Sequence, residues 1–207
     1  MTIVAGQEEK KFYVHANLLR QNSDYFRPIL SGNWKGDKSE VDLRDEDPDV
    51  VETVVDWMYH GTLPMLTNTP LDMNLCLKCY KFAETRLMYS MKNTIMDVLR
   101  KYFAQHDYQA NPPELRMAYA FDLRDTQIGT FILKSIVSTM MFQYDFADKQ
   151  WCEQLAEVCE EKGIGSDVVR EIMVFQKNSY SAPEMGDGCF FHDHSNGSSC
   201  QKSWEGE

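Results

Sequence analysis

The sequence of 207 residues contains no run of 18 apolar residues, so no membrane-spanning helix is expected. Met1 is not followed by a basic segment, an apolar stretch and a small-residue cleavage site, so no secretory leader is expected either. An excess of positive charge is also missing. The 21 Lys and Arg stand against 32 Asp and Glu, a net charge of -11. Without a clustered basic face, nucleic acid is not expected as a partner. The short catalytic signatures are absent: no G-x-x-x-x-G-K-[ST], no G-x-G-x-x-G, no G-x-S-x-G and no H-E-x-x-H. The chain is therefore expected to be non-catalytic, with no cofactor and no membrane partner. Six cysteines are scattered along it and, with no leader, are expected to be reduced thiols in an intracellular protein of the cytoplasm or nucleus.

What is present is an ordinary globular balance, 43% hydrophobic and 26% charged. Residues 1–105 mix short extended segments with helices. Thr2 to Ala5 and Lys11 to Val14 are candidate strands, joined by the polar, Gly-bearing link Gly6 to Lys10. A helical stretch from His15 carries Leu18 and Leu19, breaks near Ser23, and resumes with Tyr25, Phe26, Ile29 and Leu30. Ser23 is a candidate N-cap, and Gly32 a candidate stop. Glu40 to Arg44 alternates, with Val41 and Leu43 on one face, and predicts a strand. Asp47-Pro48 opens a helix, because Asp caps free amides and Pro sits where its missing N–H is not needed. Val51, Val54, Val55 and Met58 give it one apolar face, and Gly61 closes it. A loop over Thr62 to Thr69 precedes two helices, Leu71 to Thr85 and Leu87 to Gln105. The second carries the stripe Met88, Met91, Ile95, Val98, Leu99 and Tyr102.

Residues 106–176 are helical throughout by pattern. Asn111-Pro112-Pro113-Glu114 is a capped start. Ile128 to Phe142 predicts a buried helix. Trp151, Leu155, Val158 and Cys159 mark another that stops at Gly163, and Ser166 is expected to cap the last, with Val168, Val169, Ile172 and Phe175. Residues 177–207 hold six Ser and four Gly but no Val, Ile or Leu. Such a segment buries too little to offset its ordering entropy, so a disordered tail is expected. The expected architecture is α+β: a small sheet flanked by helical hairpins, then an all-helical extension, then the tail.

The chemistry-bearing residues divide as follows. Cys76-Leu77-Lys78-Cys79 lies inside a predicted helix with Cys76, Cys79, Tyr80 and Ala83 on one face, which favours core packing over redox or zinc use. Cys189, His192, His194 and Cys200 supply the ligand types of a zinc site but match no finger spacing; a metal-binding or enzymatic role for this cluster is the alternative to a chance grouping. His15 starts a helix, and a catalytic use would need Ser23 or Asp24, which belong to the next helix start. Met88, Met91 and Met96 suit a soft core. Glu40 to Asp56 holds eight acids against Arg44 alone. It is either a solvated helix start, favoured by the helix dipole, or a docking surface for a basic partner.

The order of landmarks then resembles a known family. Phe12-Tyr13-Val14-His15 is followed by Leu18-Leu19, Ser23-Asp24-Tyr25-Phe26, Val41-Asp42-Leu43 and Asp47-Pro48-Asp49-Val50-Val51. Trp57-Met58-Tyr59-His60-Gly61-Thr62-Leu63 and Lys81-Phe82-Ala83-Glu84 complete the series. Together these resemble the BTB/POZ domain, and the tryptophan-bearing helix resembles fungal members. The most specific stretch is 3–65, within a domain expected over 1–105. The resemblance implies a protein–protein interaction module that associates with itself or with other proteins. It makes His15, Tyr25, Phe26, Trp57, Tyr59 and Gly61 signature residues of the fold. Some members are substrate adaptors on a cullin scaffold of a ubiquitin ligase, using an apolar-x-Glu triplet. The matching residues here are Trp34-Lys35-Gly36, with Trp34 in the apolar place and Gly36 where the carboxylate would stand. Dimerising members place a swapped helix and strand ahead of the first strand of the pattern, in which this sequence already begins.

Overall fold

A computed structural model describes residues 1–31, 40–63, 70–142, 149–177, 182–183 and 188–197. Two compact units divide within one helix. The first gathers Met1–Ile95 with the short tail stretch that begins at Asp193 and ends at Ser198, and the second is built on Met96–His192.

The first unit is built on a three-stranded sheet of order β2-β1-β3, with β1 Thr2–Ala5, β2 Lys10–Tyr13 and β3 Glu40–Leu43. β1 pairs antiparallel with β2, Thr2 opposite Tyr13, and parallel with β3, Thr2 opposite Glu40. As the central strand it does not alternate: Ile3, Val4 and Ala5 are all buried. The crossover from β2 to β3 contains the helical hairpin α1 Ala16–Asn22 and α2 Phe26–Leu30. Ser23 lies buried at its bend. Its Oγ accepts from the Phe26 N–H at 3.1 Å and donates to the Arg86 carbonyl at 2.6 Å. It thus serves α2 as a cap while tying the bend to a distant helix end. Gly32, the expected stop, lies outside the described residues.

α3 Pro48–His60 begins as its sequence dictates: Asp47 Oδ1 accepts from the Asp49 N–H at 3.0 Å, with Pro48 in the first turn. It ends at Gly61, whose φ of 70° is the left-handed conformation that favours glycine; its N–H donates to the Trp57 carbonyl at 2.8 Å. α4 Met73–Thr85 is capped by Asp72, which accepts from the Leu75 N–H at 2.9 Å, and packs along α3. Cys76, Cys79, Tyr80 and Ala83 are buried together on its core face.

α5 Tyr89–His106 corrects one detail of the expected stripe. Met88, Met91, Ile95 and Leu99 are buried, as are Met96 and Phe103, while Val98 and Tyr102 are half-buried. Lys92 and Arg100 are buried on the same helix, which apolar periodicity does not anticipate.

The second unit closes four helices in a ring of contacts: α6 Pro112–Ala120 touches α7 Gln127–Phe142 and α8 Lys149–Cys159, and both α7 and α8 touch α9 Ile164–Lys177. Asn111 and Glu114 form the start of α6, the Asn111 N–H donating to Glu114 Oε2 at 2.9 Å. α7 supplies the core, with Ile128, Phe131, Ile132, Ile136 and Val137 buried. α9 begins at Ile164, two residues before the expected cap. Ser166 is already helical, and its hydroxyl donates to the Gly163 carbonyl at 2.8 Å. The start is drawn forward because Ile164 is buried in the core.

The tail is not uniform. Gly188–Phe191 forms a short 3-10 turn, and Phe191 is buried, edge-on to Phe131 at 5.3 Å. Composition averages over 31 residues and so misses the pair Phe190-Phe191, the apolar content that anchors this stretch.

Candidate interaction surface

The sheet and α3 of the first unit present three exposed ring side chains. Tyr13 ends β2, and the chain stays extended through His15 (φ -74°, ψ 122°). Tyr13 and His15, two residues apart in extended chain, therefore project to the same side, while Val14 between them is buried. Tyr59, on the last turn of α3, meets His15. Its Oη lies 2.7 Å from His15 Nδ1 and accepts from the His15 N–H at 3.2 Å. The His15 and Tyr59 rings are edge-on at 5.8 Å. Tyr13 is 76% exposed and Tyr59 43%. Large amphipathic rings held by a hydrogen bond lose little freedom when covered, which is what a protein-binding surface requires.

The other signature residues have separate tasks. Trp57 is buried and its Nε1–H donates to Thr94 Oγ1 at 3.3 Å. Phe26 is buried in the core, and the exposed Tyr25 stands edge-on to it at 5.1 Å. The Arg86 guanidinium lies 5.8 Å from the Tyr25 ring centroid and 4.9 Å from that of Phe82. Gly61 ends α3 just beyond Tyr59. The structure thus brings His15 and Tyr59 together, while Tyr25 packs separately against Phe26 and Arg86. Trp34, Lys35 and Gly36 lie outside the described residues. Tyr13 was not singled out from the sequence, although its signal was there: Lys11, Tyr13 and the buried Val14 follow the alternation of a half-exposed strand.

Several acids of the stretch 40–56 are paired with neighbouring bases. Glu52 pairs with Lys10 at 2.8 Å, Asp47 with Lys78 at 2.7 Å, Glu46 with Arg86 at 2.5 Å and Asp42 with Arg44 at 2.7 Å. The Lys78 ammonium, helped by the Asp49 amide, holds the Asp47 carboxyl below its ordinary value. These pairs favour a solvated, internally balanced face over a docking surface for a basic partner.

The groups with chemical potential are arranged for structure. Burial pushes the Cys79 thiol up to about 12, so it is not a thiolate at neutral pH. In the tail, His192 Nε2 lies 2.9 Å from Asp97 Oδ1, Cys189 is exposed, and Cys200 lies outside the described residues. Among the described residues, no three His, Cys, Asp or Glu side chains gather as a metal site needs. No helix among them is long and apolar enough to cross a membrane.

A three-stranded mixed sheet flanked by helical hairpins, with a hydrogen-bonded aromatic pair beside it, defines an α+β module. Residues 1–97 match the family model of the BTB/POZ domain, and the chain carries a BTB/POZ domain there. BTB/POZ domains are protein-interaction modules, so binding to other proteins is the general activity of this part of the chain. No curated protein matches the sequence.

Proposed function

We propose that the chain is a non-catalytic association module whose BTB/POZ domain, taken over 1–105, engages a second copy or another protein through the face of Tyr13, His15 and Tyr59. The helices of 106–176 are then an extension and the rest a tail. The observation that carries this reading is the pinned, exposed Tyr59–His15 pair beside Tyr13 within the family-matched residues. Its setting would be the cytoplasm or nucleus. Size-exclusion chromatography with light scattering, joined to affinity capture from lysate, tests it. A concentration-dependent mass above 24.1 kDa, or a retained partner lost in Tyr13→Glu, supports it. A strict monomer retaining no protein overturns it.

Adaptor function on a cullin scaffold is the finer form of this reading. Its support is Trp34 at the apolar position of the resembled triplet; Gly36 in place of the carboxylate weighs against it. Calorimetry with a cullin N-terminal domain tests it: micromolar binding lost in Trp34→Ala supports the role, and no heat at high concentration removes it.

A further inference from the structure

We propose that the α4–α5 surface of the first unit is a recognition site for a short peptide carrying the pattern Asp-x-Ser, and that the chain's own tail, Asp193 to Ser195, fills it as a built-in ligand. Tyr13, His15 and Tyr59 take no part in this site, so it goes beyond the association reading and is scored separately from it.

The stretch from Asp193 to Ser195 is neither strand nor helix, and the domain holds it as a peptide is held. Asn93 on α5 binds Asp193 through both main-chain groups. The Asp193 N–H donates to Asn93 Oδ1 at 2.7 Å, and Asn93 Nδ2 donates to the Asp193 carbonyl at 3.1 Å. Main-chain bonds give a peptide site its affinity, and a pocket for the side chain gives it specificity.

The pocket is made by Lys92. Its ammonium is buried, meets Asp193 Oδ2 and lies 2.7 Å from Glu84 Oε2, with the Tyr89 ring centroid 5.1 Å away. Burial alone would lower the Lys92 ammonium, but Asp193 and Glu84 overcome it and hold the group above its ordinary value. A fixed positive charge at the base of the site selects a carboxylate.

The ligand is shaped in advance. Asp193 Oδ1 accepts from the Ser195 N–H at 2.9 Å and from Ser195 Oγ, a local turn that orients the carboxylate and leaves Oδ2 to Lys92. A carboxylate preset in this way loses little freedom on docking. Asp is therefore the residue that is read, and Ser, two places on, the residue that presents it.

The tail is also replaceable. Ser195 is exposed. When the segment leaves, Lys92 keeps Glu84 and the Tyr89 ring and gains water, so no buried charge is stranded. A tethered segment acts at an effective concentration of about 1 mM. With an intrinsic dissociation constant of about 0.1 mM, the tail would fill the site about nine-tenths of the time and weaken a free peptide about tenfold.

The test uses the full chain and a fluorescein-labelled peptide with the sequence of residues 192–198, beside a copy with Ala in the aspartate place. By anisotropy, the Asp193→Ala chain is expected to bind the aspartate peptide about tenfold more tightly than the wild type does, and to ignore the alanine peptide. Adding Lys92→Met or Asn93→Ala to Asp193→Ala should remove that binding. Circular dichroism melts confirm that the variants fold. Asp193→Asn, which keeps an acceptor for Lys92, is expected to fall between and is read in place of Asp193→Ala if the latter does not fold. Equal binding of the two peptides overturns the proposal, as does equal binding by the wild type and the disarmed chain, or none by a folded disarmed chain. A wild-type dimer that Asp193→Ala dissolves overturns it as well, because the tail would then join two copies.

Discussion

Lys92 shows at the scale of one residue what apolar pattern does not reveal. Its side chain is 2% exposed, yet its ammonium meets Glu84 at 2.7 Å and the Asp193 carboxylate at a very short distance. Burial alone would raise the Asp193 carboxyl, but Lys92 and Ser195 overcome it and hold the group below its ordinary value. A depressed carboxyl contributes stability that is full above its unfolded value, near pH 4, and lost as pH falls through the folded one. Urea titrations should therefore show stability declining below about pH 4 in the wild type and less steeply in Asp193→Asn. At neutral pH, Asp193→Ala should cost about 2–3 kcal/mol, because it leaves a buried ammonium with a single, partly exposed partner. Lys92→Met should cost less, since it removes the buried charge itself. Equal losses for the two substitutions would contradict this account. The tail composition signals none of it: Asp193 is one acid among Ser and Gly, and only its partner about a hundred residues away gives it a role.

Thiol chemistry belongs to the same scale. Cys76 and Cys79 are buried, and Cys79 is held far from its thiolate, whereas Cys152 and Cys189 are exposed. With a thiol reagent at pH 7.5, Cys152 and Cys189 should react promptly and the C-x-x-C pair only on unfolding, as read by mass spectrometry of the labelled peptides. Fast labelling of Cys79 would count against the core reading of that motif.

Among the elements, α3 was the most legible in the sequence. Asp47-Pro48 at one end, Gly61 at the other and Val51, Val54 and Met58 between them are local signals, and the helix spans Pro48–His60 as they predict. Asp47→Ala should cost about 1 kcal/mol for the lost cap, with a further small loss from the Lys78 pair. Gly61→Ala should cost about 1 kcal/mol through its left-handed φ. Thermal melts measure both, and an unchanged melt for either would refute the capping argument. Less legible were features that depend on remote partners. The parallel pairing of β1 with β3 is not written in either strand. The α9 start at Ile164 follows from burial, which outweighs the capping preference of Ser166. Of the interaction surface, His15 and Tyr59 were visible as family landmarks, but their hydrogen bond spans 44 residues of sequence and needs the folded sheet to bring it about.

For the whole molecule, the net charge of -11 is spread along the chain and broken up by local ion pairs. Acids of the BTB/POZ domain meet Lys10 and Lys78, and those of α8 and its C-terminal end meet Lys149 and Arg116. The domain supplies a general capacity to bind proteins. The most direct measurement of the central claim is quantitative affinity capture of the full chain, compared with its Tyr13→Glu, Tyr59→Ser double variant and scored together with mass by light scattering. The account predicts that the wild type holds a second copy or a specific partner and that the folded double variant loses it. Retention unchanged in that variant, or a wild-type monomer that holds nothing, would contradict it.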